Sequence, residues 1–102
     1  MPIYGDVTPP EIAFRTNGNS TYAKSHASKI AVTDNSNSLA ILKYKWIKGE
    51  TKLSTADDFA DATVFTNGER ATISSGSGDY YLWVYAEDVA GNYNISYSNV
   101  FK

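Results

Sequence analysis

The chain has 102 residues, enough for one domain, and its 42% apolar content predicts a folded domain rather than a disordered segment. Nine Lys and Arg residues against eleven Asp and Glu residues give a net charge of -2, which argues against nucleic acid as the main partner. The absence of cysteine excludes disulfides, zinc–thiolate sites and cysteine nucleophiles. No apolar run reaches the length of about 18 residues that would predict a membrane span.

The first half of the chain predicts a linker followed by three strands. Residues 1–10 are predicted to form an inter-domain joint, because Pro9 and Pro10 hold the backbone extended. Residues 11–102 are predicted to form one domain. Apolar residues alternate with polar ones in the three segments predicted as strands, which are Glu11–Phe14, Ser28–Thr33 and Leu39–Ile47.

The period changes between Gly49 and Thr63, where a short helical turn is predicted. Ser54 is predicted as its N-cap with Asp57 three residues later, and the turn is expected to place Phe59 in the core. The Asn67-Gly68 pair that follows is typical of a two-residue hairpin. A hairpin is therefore predicted, with strands at Thr63–Thr66 and Arg70–Ser74.

The strongest alternation lies in Asp79–Asp88, and a last strand is predicted at Tyr93–Phe101. About seven short strands with frequent turns favour an all-β, antiparallel β-sandwich. Tyr80 is a candidate tyrosine corner, in which the hydroxyl bonds to nearby backbone. The predicted core consists of Ile12, Ile30, Val32, Leu42, Trp46, Phe59, Leu82, Val84 and Ala86.

Three segments carry a resemblance to a known family. Asp6–Ile12 is an acidic, proline-bearing joint, Leu42–Trp46 is a strand with a core aromatic residue, and Gly78–Asn92 ends in Asp-Val-Ala-Gly-Asn. Together they resemble the immunoglobulin-like domains of bacterial surface and secreted proteins. The similarity spans nearly the whole chain, although the disulfide of antibody domains cannot form here.

The resemblance implies a non-catalytic spacer module in a bacterial extracellular or cell-surface protein, with neighbouring domains of the same chain as its partners. The alternative is an adhesive or carbohydrate-binding module, including an accessory domain of a secreted glycoside hydrolase. The single histidine, His26, lies in a polar stretch and is predicted to be a surface residue, so no catalytic residue is predicted.

Oxygen-bearing side chains near the predicted turns form a candidate calcium site. Asp6 lies in the joint, Asp34 follows the second strand, and Asp88 and Asn92 flank the last turn. Calcium prefers carboxylate and amide oxygens, so the hypothesis is a calcium site at an Asp- and Asn-lined joint. The alternative is that these residues serve only the geometry of the turns. No other cofactor is predicted.

The outer face of the two central strands is the candidate ligand surface. If Leu82 and Val84 point inward, then Tyr81, Trp83 and Tyr85 point outward on the same strand. Lys43 and Lys45 occupy the neighbouring outward positions. Three interpretations stay open: lysine stems covering the rings, contact with an adjoining domain, or stacking of a carbohydrate from a host or cell-wall surface.

Overall fold

The computed structural model describes residues 9–18, 25–34, 39–49, 52–73 and 78–102. These residues form seven strands and one 3-10 turn, which spans Ala56–Phe59. The strands are β1 (Glu11–Phe14), β2 (His26–Thr33), β3 (Leu39–Lys48), β4 (Thr63–Val64), β5 (Arg70–Ile73), β6 (Tyr80–Asp88) and β7 (Tyr93–Tyr97). The joint predicted at residues 1–10 lies mostly outside the described residues, although Pro10 is buried.

The strands form two antiparallel sheets, and the predicted all-β sandwich is confirmed. One sheet has the order β1-β2-β5 and the other the order β4-β3-β6-β7. The longest pairing joins β3 to β6, with Trp46 opposite Leu82 and Tyr44 opposite Val84. This register places the alternating apolar residues of both strands toward the opposite sheet.

The main core lies between the two sheets. Leu82, Val84 and Ala86 are fully buried in β6, on the face that the alternation predicts. Three further members, Phe65, Ala71 and Phe101, come from short or irregular segments, where period-two alternation is too brief to identify them. The buried members of this cluster are Ile30, Val32, Leu42, Phe65, Ala71, Leu82, Val84, Ala86 and Phe101.

Two aromatic residues line the margin of this core. Trp46 is half-buried and packs edge-on against Phe101, with the ring centroids 5.1 Å apart. Tyr80 is also half-buried against the core, and its backbone pairs with that of Phe101. The tyrosine-corner hydrogen bond would reach backbone a few residues upstream, where residues 74–77 lie outside the described residues, so it stays a prediction.

The prediction that His26 is a surface residue is wrong. His26 begins β2 and is buried, with its ring 5.4 Å from that of Phe101 and 6.3 Å from that of Trp46. The surrounding polar sequence suggested exposure. Because His26 shares the inward phase of Ser28 and Ile30, the strand carries it into the sandwich.

The predicted hairpin around Asn67-Gly68 is also wrong, because the two strands belong to different sheets. β4 pairs with β3, whereas β5 pairs with β2. Phe65 is buried between the sheets, and its N–H donates to the Leu42 carbonyl at 3.0 Å. Burying this ring draws the chain away from a tight hairpin, so the segment after β4 crosses from one sheet to the other.

The cap of the 3-10 turn lies one residue later than predicted. Thr55, not Ser54, is the N-cap residue, with extended backbone at φ -135° and ψ 163°. The carboxylate of Asp58, not Asp57, accepts hydrogen bonds from the N–H groups of Ser54 and Thr55 at 2.9 and 3.1 Å. These two bonds hold the pKa of Asp58 below its usual value.

Candidate functional site

The predicted aromatic surface lies on the outer face of the four-stranded sheet, but most of it is covered. Trp83 is 5% exposed and Tyr85 is 3% exposed. These two rings point to the outer face as predicted, but the exposed ligand face predicted from them is wrong because both are buried there. Tyr81, at the start of the same strand, is half-buried.

The segment from residue 52 to residue 62 covers these rings and forms a second small core with them. Phe59 is completely buried there rather than in the main core where it was predicted, and its ring lies 5.7 Å from that of Tyr85. Leu53 and Ala62 pack against the same cluster. The outer face of β6 is thus a hydrophobic interior, as the high apolar content of that strand on both faces requires.

Lys45 links this covering segment to the sheet through a hydrogen bond and an ion pair. Lys45 lies directly opposite Trp83, and its ammonium group donates to the carbonyl of Asp58 at 3.1 Å and to a carboxylate oxygen of Asp61 at 2.7 Å. The Lys45 ammonium holds the pKa of Asp61 below its usual value. Lys43, opposite Tyr85 and Val64, is half-buried. The covering segment, held by Lys45, therefore shields the rings.

The accessible aromatic rings belong mainly to β7, a strand outside the predicted ligand face. Tyr97 stacks on Trp83 with centroids 4.5 Å apart, and Tyr93 stacks on Tyr85 at 5.6 Å. Tyr93 is 49% exposed and Tyr97 is 56% exposed. The alternation in Tyr-Asn-Ile-Ser-Tyr puts both rings on the outer face, so the sequence did contain this signal.

Tyr85 combines a buried ring with a hydrogen-bonded hydroxyl group. Its hydroxyl donates a hydrogen bond to the carboxylate of Glu87, two residues later on β6. Burial and the adjacent carboxylate both raise the pKa of the Tyr85 phenol well above its ordinary value of 10.0. The phenol therefore stays protonated at every physiological pH and serves as a structural donor.

The candidate calcium ligands Asp88 and Asn92 are joined to each other by turn hydrogen bonds. One carboxylate oxygen of buried Asp88 accepts from the N–H groups of Ala90 and Asn92 at 3.0 and 2.9 Å. The other accepts from the Asn92 side-chain amide at 3.2 Å. This geometry is the turn chemistry that was the alternative to metal binding.

The remaining candidate ligands do not extend this arrangement into a cluster. Asp34 is half-buried at the end of β2, and Asp6 lies outside the described residues. Within the described ranges, no three acidic or histidine side chains are grouped so that they could hold a metal ion. Calcium binding stays a prediction.

Comparison with known proteins adds no relative. No family model matches the chain, and no curated protein or solved structure matches it significantly. In the part of the chain that the structure describes, no helix is long and apolar enough to cross a membrane. The fold class, an all-β sandwich of two antiparallel sheets, therefore rests on the strand pairing alone.

Proposed function

We propose that this chain is a non-catalytic, immunoglobulin-like spacer module of a larger bacterial extracellular or cell-surface protein. The partition of the strands supports the immunoglobulin-like assignment. The first, second and fifth strands share one sheet, and the third, sixth and seventh share the other, as in immunoglobulin domains. The fourth strand pairs with the third rather than with the fifth.

The observation that carries the spacer role is that the chain enters and leaves the sandwich at opposite ends. The Pro10 carbonyl accepts a hydrogen bond from the side chain of Asn94, at the beginning of β7. At the other end, the Asn99 N–H donates to the side chain of Asn17 at 2.6 Å, and Phe101 pairs with Tyr80 at the beginning of β6. Domains joined through such termini follow one another in a line.

A two-copy concatemer, joined through residues 1–10 of the second copy, tests this role by small-angle X-ray scattering. An end-to-end arrangement predicts a maximum dimension close to twice that of one copy. A compact pair would raise the radius of gyration only about 1.3-fold, following the scaling of compact domains with chain length. A 1.3-fold increase would contradict the spacer role.

Carbohydrate binding is the second candidate, and the exposed rings of Tyr93 and Tyr97 favour it. Both rings stack on buried neighbours, so they are held in place before any ligand arrives. Titration with cell-wall and plant polysaccharides, followed by amide chemical shifts, tests this function. Saturable shifts confined to Tyr81, Tyr93 and Tyr97 would support the adhesive role, and their absence across a broad panel would support the spacer.

A further inference from the structure

We infer that the outer face of the β1-β2-β5 sheet binds the carboxylate groups of an acidic polysaccharide through a row of three cations, Arg15, Lys29 and Arg70. The row runs across the strands. The Arg15 N–H donates to the Lys29 carbonyl at 2.9 Å, and Lys29 lies directly opposite Arg70 in the β2–β5 pairing. Adjacent strands are about 4.8 Å apart, so the three side chains start from neighbouring points of one line.

The three cations repel one another, and no described residue forms an ion pair with them. Like charges directly opposite each other in an antiparallel pair destabilise the sheet. None of the three forms an ion pair with a described residue, because the described ion pairs join Lys45 to Asp61 and Lys102 to Asp79. In a chain of net charge -2, this concentration of positive charge creates a local site for an anion.

Two acidic residues are near the row, Glu69 in the sequence and Glu11 on the same face of the sheet. Glu69 precedes Arg70, but its carboxylate accepts a hydrogen bond from the Thr66 N–H at 2.8 Å. Glu11 stands at the other end of β1, opposite Thr33, about four residues of strand away from Arg15. Neither carboxylate forms an ion pair with the row.

The surface around the row has the shape of a shallow binding site. A concavity of about 270 Å³ is lined by Arg15, Thr16, Ala27, Ser28, Lys29 and Arg70. Its volume is below the range of about 300–1,000 Å³ that is usual for whole drug-sized ligands, so it suits one unit of a polymer. The next outward pair along the sheet, Ala13 with Ala31, is small and leaves that side of the concavity open.

The chemistry of the row favours carboxylates on a sugar chain over nucleic acid. A guanidinium group matches a carboxylate with two parallel hydrogen bonds, and two such groups flank the lysine. The exposed residues of β2 and β5 are Lys, Arg, Ala and Thr, which offer no ring on which a base could stack. This surface is on the opposite sheet from Tyr93 and Tyr97, so it does not depend on the second candidate function.

The test is calorimetric titration of the full chain with an oligogalacturonate, beside a neutral oligosaccharide of equal length. We expect saturable binding of the acidic oligomer only, weakened when salt rises from about 20 mM to about 200 mM because the interaction is ionic. Arg70→Gln should weaken binding about tenfold, the usual effect of losing one charge-assisted hydrogen-bond pair. Lys52→Gln, which removes an exposed charge outside the row, should change affinity less than about twofold.

A thermal melt of the same variants distinguishes loss of the site from loss of the fold. Arg70→Gln removes the repulsion with Lys29 and should leave the melting temperature equal or raise it. The inference is overturned if the acidic oligomer does not bind at low salt, or if Arg70→Gln and Lys52→Gln weaken it equally. Equal affinity for a poly-glutamate of the same charge would also overturn the inference, because the row would then recognise acidic peptides as well as it recognises an acidic polysaccharide.

Discussion

At the scale of single residues, Phe59 covers aromatic rings on the outer face of β6 that would otherwise be exposed. Its ring is completely buried against Tyr85 in the second core, on the outer side of the four-stranded sheet. Trp83 shares that core, and its ring also stacks on that of Tyr97. The aromatic side chains of β6 therefore pack in two cores, one on each face of the sheet. Tyr80 contacts the main core, and Trp83 and Tyr85 belong to the second.

Phe59→Ala should lower the free energy of unfolding by about 3–5 kcal/mol, because it removes a fully buried ring and leaves a cavity over Tyr85. Urea denaturation measures the loss, and iodide quenching of tryptophan fluorescence should increase as Trp83 gains access to solvent. Val64→Ala, at a position 71% exposed, is the matched control and should change stability by less than about 0.5 kcal/mol. A Phe59→Ala protein as stable as that control would contradict the second core.

Because the pKa of Tyr85 is raised in the folded state, we expect the free energy of unfolding to decrease in alkali. The folded state binds the phenolic proton more tightly than the unfolded state does, so between the unfolded pKa of 10.0 and the higher folded pKa the unfolded chain binds fewer protons. The contribution of Tyr85 is therefore complete below pH 10 and decreases as the pH rises above it. Urea midpoints across this range should fall less steeply for Tyr85→Phe than for the parent protein.

The control for this pH dependence is Tyr97→Phe, because Tyr97 is 56% exposed and the change removes a phenol of the same kind outside the buried cluster. That variant should retain the alkaline decline of the parent protein. Equal slopes for the parent and for Tyr85→Phe above pH 10 would contradict the role assigned to the buried phenol.

At the scale of elements, the crossing between the sheets depends on the side chain of Asn67. Its Oδ1 accepts from the Val32 N–H, and its Nδ2 donates to the Val32 carbonyl, both at 2.8 Å. The Gly68 N–H continues this pairing by donating to the Ile30 carbonyl at 2.9 Å. The side-chain amide thus makes the two hydrogen bonds that a neighbouring strand residue would make with Val32. It holds the segment between β4 and β5 against β2, with which β5 then pairs.

Asn67→Ala should lower the free energy of unfolding by about 1–3 kcal/mol, because both Val32 backbone groups lose their partner. Asn67→Asp should be destabilised as well, since a carboxylate cannot donate to the Val32 carbonyl. Thermal denaturation measures both variants, with Thr72→Ala on the exposed face of β5 as the control. Wild-type melting of Asn67→Ala would show that this amide does not support the crossing.

The sequence predicted the elements better than their partners. Alternation identifies β3 and β6, because long half-buried strands repeat their pattern several times. It could not show that β4 and β5 lie in different sheets, since Asn67-Gly68 has the local chemistry of a hairpin and the decision depends on burial of Phe65. The same limit applies to the candidate ligand face, where exposure of Trp83 depends on a segment more than 20 residues away in sequence.

At the scale of the whole molecule, the geometry of the two ends underlies the proposed spacer role. β1 and β7 run side by side in the same direction, held by the Pro10–Asn94 hydrogen bond at one end and by the Asn17–Asn99 hydrogen bonds at the other. Tension on the two termini is therefore carried along the length of the strands. The chain thus enters at the Asp88 end of β6 and leaves at the Tyr80 end.

The distance between two spin labels, measured by pulsed electron paramagnetic resonance, tests most directly whether the two ends of the chain lie at opposite ends of the sandwich. The chain has no cysteine of its own, so Glu11→Cys with Lys102→Cys gives one defined pair, and Glu11→Cys with Val89→Cys gives a control pair at one end. β6 spans eight residue steps of about 3.3 Å, so the first pair should be separated by about 25 Å and the control pair by clearly less. A first-pair distance equal to or shorter than the control distance would show that the two ends of the chain lie at the same end of the sandwich and would contradict the spacer role.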